Sequence, residues 1–144
     1  MNKNQQKMAQ YGYTIDAVMT RTDELQDALN PMFLELRAAI DDDKVAAIDA
    51  AHYADIREQF ATGTAEYKQL LTKFEAVQVP ARFIGNHKML TKAFAEFVAG
   101  CQQMTDSLKE DQTIDAAAFK ASEQVQDDES EKISKYLNKI QVLA

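Results

Sequence analysis

Apolar residues recur along this chain every third or fourth position, in four blocks. The first block carries Met8, Tyr11, Ile15, Val18, Thr22, Leu25, Leu29, Met32, Leu36 and Ile40. The second carries Tyr53, Ile56, Phe60, Gly63, Tyr67, Leu70, Phe74 and Val77. The third carries Phe83, His87, Leu90, Phe94, Phe97, Cys101, Met104 and Leu108. Steps of three and four keep side chains on one face of an α-helix, whereas a strand needs alternation, which is not visible. A fourth, weaker block runs Phe119, Ser122, Gln126, Glu129, Ile133, Tyr136 or Leu137, and Ile140. Four amphipathic helices with short connections predict an all-α fold, an antiparallel up-down-up-down four-helix bundle.

The intervening residues agree with that count. Asp41, Asp42 and Asp43 close the first block, because Asp competes for backbone hydrogen bonds and favours helix ends. Val79-Pro80 separates the second and third blocks, since proline pushes the residue before it away from helix. Lys109 to Thr113 separates the third and fourth. Two helix starts echo each other: Ile48-Asp49-Ala50-Ala51-His52-Tyr53 and Ile114-Asp115-Ala116-Ala117-Ala118-Phe119. In each, Asp is the N-cap, and the flanking apolar residues form a hydrophobic staple, Ile48 with Tyr53 and Ile114 with Phe119. Pro31 falls inside the first block, where it removes one helical hydrogen bond. The apolar face stays in phase across it, which predicts a kink; the alternative is a break into two helices.

Composition narrows the picture without naming a function. With 144 residues the chain fits one domain, 1–144, and only 4 Gly and 2 Pro leave few turns for an all-β fold. One cysteine excludes an internal disulfide and a Cys-based zinc site. With two histidines, no Glu-x-x-His and no His-x-x-x-His, no metal and no cofactor is expected. Residues 1–14 hold no apolar run of signal-peptide type, and no stretch reaches the roughly 20 apolar residues of a membrane span. A cytoplasmic protein is the expectation. A net charge of −7 disfavours bulk binding to nucleic acid.

Placed on the bundle, that charge separates. One end collects Lys3, Lys7, Lys73, Arg82, Lys88, Lys92, Lys132, Lys135 and Lys139; the other collects Glu35, Asp41, Asp42, Asp43, Asp49, Glu110, Asp111 and Asp115. The basic end offers an anion site at Arg82, Gly85, Asn86, His87 and Lys88, with backbone N–H groups of Gly85 and Asn86 near a helix start. Complementarity between charged side chains and helix ends explains the same distribution without any ligand. A second candidate lies mid-bundle, where Ser122, Gln126 and Glu129 stand on the inward face opposite Gly63. Either they edge a polar-rimmed cavity, or the fourth helix is turned, burying Ala118, Ala121 and Val125 and leaving them wet. The turned helix is the simpler expectation, because a buried Glu is costly without a partner. His87 reads as a half-buried core histidine and Cys101 as an inert core thiol. Their 14-residue separation, roughly 21 Å along one helix, keeps them from pairing.

The function expected from these features is non-enzymatic: an interaction or adaptor module with a protein partner, compatible with a homodimer. The alternative is a small-ligand or anion-binding bundle, using the cavity near Gly63 and Gln126 or the basic end near Arg82 and Lys88.

Overall fold

The computed structural model describes residues 2–144. The chain forms four helices: α1 (Lys3–Asp41), α2 (Ala50–Ala76), α3 (Ile84–Ser107) and α4 (Ala116–Leu143). Short 3-10 turns at Val45–Ala47 and Ala81–Phe83 lead into α2 and α3. All residues of the three strong apolar blocks are buried or half-buried, so the periodicity marks the core face as predicted.

The helix ends follow local chemistry. Asn2 caps α1, its side chain accepting from the Gln5 amide at 2.8 Å while the Gln5 side chain accepts from the Asn2 amide at 3.0 Å. Asp49 and Asp115 cap α2 and α4, each accepting at 3.1 Å from the amide three residues on, His52 and Ala118. Ile48 and Ile114 pack against the cluster that holds Tyr53 and Phe119, as a staple requires. α1 runs unbroken through Pro31. Proline lacks the amide proton that the Asp27 carbonyl would accept in a regular turn, and packing of the in-phase apolar face on both sides offsets that loss.

The two loops at the acidic end are tied together. Gln112, at φ 62°, donates from Nε2 to the carbonyls of Val45 and Ile48 at 3.2 and 2.6 Å. Tyr53 donates to the Lys109 carbonyl at 2.8 Å, and Arg57 donates to that of Leu108 at 2.8 Å. These bonds satisfy loop carbonyls that no helix serves.

Packing is uneven around the bundle. α3 and α4 approach most closely, α2 lies against both α1 and α3, and the α1 and α4 backbones stand furthest apart among neighbours. Gly100 explains the first of these. A Cβ there would stand 3.1 Å from Val125 Cγ1 and 3.2 Å from Gln126 Cγ, so only glycine lets α4 settle this near. The α1–α2 pair is laced by the Arg21–Glu66 ion pair and by a hydrogen bond between His52 Nε2 and Glu35 at 2.7 Å. The α1–α4 pair is pinned near the acidic end: Phe33 stacks on Phe119 with centroids 5.7 Å apart, Arg37 meets Glu123 at 3.0 Å, and Lys120 meets Asp41 at 3.2 Å.

The turned fourth helix is not what forms. Ser122 is fully buried and donates to the Phe119 carbonyl at 2.7 Å, whereas Ala121 is exposed. Glu129 keeps only 12% of its side chain exposed and meets Lys132 at 2.9 Å. The polar face points inward because Ser122 satisfies its hydroxyl on its own helix and Lys132 neutralises Glu129.

Candidate functional site

The core divides into two clusters. One centres on Leu70, Phe74, Leu90, Phe94 and Phe97; the other on Leu36, Ile56, Phe60, Met104 and Phe119. Between them lies a layer of small and polar residues. Thr64 Oγ1 and Thr105 Oγ1 share a hydrogen bond of 2.9 Å, and Thr105 also donates to the Cys101 carbonyl at 3.0 Å.

At this division the α1–α4 seam opens into a cleft of about 300 Å³. Its floor is apolar and aromatic: Leu29, Phe33, Phe60, Tyr67, Phe97, Cys101 and Met104. Its mouth is polar: Gln26, Asp27 and Asn30 from α1 face Glu123, Gln126, Asp127 and Ser130 from α4. The volume is at the small end of the roughly 300–1,000 Å³ typical of ligand pockets.

Three side chains of the cleft set its chemistry. Gln126 turns inward, donating from Nε2 to the Gly100 carbonyl at 3.4 Å with Met104 Sδ at 3.7 Å; both contacts are long. Burial pushes the Cys101 thiol up to about 12, so it stays protonated and is a poor nucleophile. Tyr67 is only 2% exposed, and its ring meets Phe97 edge to face at 5.4 Å. Burial also raises its hydroxyl well above the ordinary tyrosine value. Among the described residues that hydroxyl has no hydrogen-bond partner, yet it is not sealed from solvent. Tyr67 is among the residues that line the cleft.

Of the two residues that the cavity alternative named, Gln126 lines this cleft and Gly63 does not. A Cβ on Gly63 would stand 2.9 Å from Leu29 Cδ1, so Gly63 makes room for Leu29, which forms part of the floor. Position along a helix was legible; which neighbour fills the space beside it was not.

The five residues of the expected anion site do not converge. Arg82 donates to the Leu143 carbonyl at 3.0 Å, fastening the end of α4. His87 is buried, 6% exposed, and faces inward. Its Nε2 donates to the Phe74 carbonyl at 3.0 Å, which leaves Nδ1 to accept from the Tyr11 hydroxyl at 2.9 Å. Phe74 lies in the last turn of α2, where carbonyls lack helical partners, so His87 caps α2 from α3. Burial lowers the His87 pKa below the usual histidine value. Gly85 is exposed and Asn86 half-buried on the opening turn of α3, and Lys88 is exposed without an ion pair among the described residues. Two of the five residues, Arg82 and His87, are thus spent on holding helices together. The cue for His87 was its place on the apolar face; its partners, 13 and 76 residues away, leave no mark in the sequence.

A second opening in the same seam lies nearer the chain ends. It encloses about 290 Å³ between Met8, Tyr11, Ile15 and Met19 of α1 and Leu137 and Ile140 of α4. Among the described residues no three His, Cys, Asp or Glu side chains are placed to hold a metal ion. No helix among them is long and apolar enough to cross a membrane. Comparison with protein-family models, with curated proteins and with solved structures finds no match for this chain.

Proposed function

We propose that this chain is a non-enzymatic binding protein that takes a small, largely apolar molecule into the α1–α4 cleft. The observation that carries the reading is the aromatic floor of the cleft, to which Tyr67 belongs, a residue only 2% exposed whose hydroxyl has no protein partner among the described residues. A ligand that bonds that hydroxyl gains a hydrogen bond worth about 0.5–1.5 kcal/mol net. The cleft holds one titratable sulfur and no histidine, and burial keeps that thiol protonated, which favours binding over catalysis.

The test uses 1-naphthalenemethanol, a neutral aromatic that fits the volume, followed by its own fluorescence. Saturable one-to-one binding is expected, and Gln126→Trp, which fills the mouth, is expected to abolish it with an unchanged helical circular dichroism spectrum. Absence of saturable binding, or binding indifferent to Gln126→Trp, refutes the reading.

A second reading keeps the expected role of interaction module. The two openings lie along one seam between α1 and α4, and both are floored by apolar residues. A partner's amphipathic helix laid along that seam would cover both at once. Such a partner needs both openings, so Gln126→Trp and a bulky substitution at Gly12 would each weaken it, whereas the small ligand ignores Gly12.

A further inference from the structure

The cleft is charged on one side of neutrality only. Its lining contains Asp27, Glu123 and Asp127 and no lysine, arginine or histidine. Glu123 is answered by Arg37 at 3.0 Å, but Asp27 and Asp127 have no ion pair among the described residues. They stand on opposite helices at the same mouth. Lysines are not scarce in this protein, which has 16 Lys and Arg residues; they lie elsewhere.

The floor complements that mouth. Phe33, Phe60, Tyr67 and Phe97 present aromatic rings, whose faces attract a cation. Tyr67, only 2% exposed as a residue and with no protein partner for its hydroxyl among the described residues, adds a hydrogen-bonding oxygen to that lining. An inorganic ion is disfavoured, since no three metal-ligating side chains converge among the described residues.

Resting on the ligand-binding reading above, we infer that the cleft selects an organic cation: a small aromatic or aliphatic amine. Its apolar body lies on the aromatic floor and its ammonium group sits between Asp27 and Asp127.

Three probes of one shape and different charge separate the two readings: 1-naphthylmethylamine, 1-naphthalenemethanol and 1-naphthoate, titrated at neutral pH and low salt. The amine is expected to bind about tenfold more tightly than the alcohol, a difference of about 1.4 kcal/mol, and the carboxylate most weakly. Added salt should narrow that gap. Asp27→Asn with Asp127→Asn should bring the amine to the level of the alcohol and leave the alcohol unchanged. Tyr67→Phe should weaken the amine severalfold with no change in helicity. Equal binding of amine and alcohol overturns the charge selection and leaves the cleft reading standing. Failure of all three probes to bind overturns both. Amine binding that survives Gln126→Trp is association with surface carboxylates and overturns the inference.

Discussion

Replacing either of two glycines by alanine should have opposite effects, and the difference follows from what each faces. In a helix interior the change is worth about 0.8–1 kcal/mol in favour of alanine. At Gly63 the new Cβ meets Leu29 Cδ1 at 2.9 Å, and the next nearest atoms are 3.7 Å away. The offending atom is the tip of a flexible side chain that borders the cleft, so Leu29 can rotate into open space. An off-rotamer leucine costs about 0.5–1.5 kcal/mol, and the net change is close to zero. At Gly100 the Cβ meets Val125 Cγ1 at 3.1 Å, Gln126 Cγ at 3.2 Å and the Ser122 carbonyl at 3.5 Å. Valine in a helix is held to one rotamer, and the carbonyl is backbone. Relief requires α4 to back away from α3 at the closest interface in the bundle. Overpacking of that kind costs about 1–3 kcal/mol, so Gly100→Ala should lose about 1 kcal/mol net after the helix gain. For a chain of this length that is a fall of about 4 °C in Tm. Thermal unfolding followed by circular dichroism reads both variants. A Gly100→Ala variant as stable as the parent, or a Gly63→Ala variant less stable than Gly100→Ala, would refute the packing argument. Gly63→Ala should also weaken naphthalenemethanol binding, because the displaced Leu29 occupies the cleft.

Other outcomes follow from the ends and the core. Since His87 is held neutral, the unfolded chain binds more protons there than the folded one as pH drops through the usual histidine value of about 6.5. Stability should therefore fall with pH below that point, and His87→Phe should flatten the slope of Tm between neutral and mildly acidic pH; an unchanged slope excludes His87 as its source. Tyr11→Phe leaves Nδ1 of His87 without its donor and should cost about 1–3 kcal/mol in urea unfolding. Asp49→Ala and Asp115→Ala each remove one cap and should each cost about 1 kcal/mol, additively, since they serve different helices. The Cys101 thiol should react with a disulfide reagent at pH 8 on the order of a thousandfold more slowly in the folded chain than in urea; equal rates would mean that the cleft admits the reagent and that burial does not hold the thiol.

The sequence determined the elements and their inward faces. Steps of three and four placed Tyr11, Phe60, Phe97 and the rest on the core, and Asp49 and Asp115 announced their helix starts, because these are interactions between residues a turn apart. Continuity through Pro31 was legible as well: the apolar face kept phase across it, which argued against a break into two helices. Tertiary structure decided the rest. That the polar face of α4 points inward depends on Gly100 admitting α4 against α3, and Val125 and Gln126 are found beside Gly100 only once the helices are packed. That His87 and Arg82 hold helices instead of an anion depends on carbonyls far along the chain, at Phe74 and Leu143. Above all, the cleft belongs to no single helix. Asp27 and Asp127 are 100 residues apart and become one mouth only because α1 and α4 are pinned at Phe33 and Phe119 and left apart below. Periodicity tells each helix which side to bury, but helix separation is set by the sizes of side chains meeting from different blocks, and that sum exists only in three dimensions.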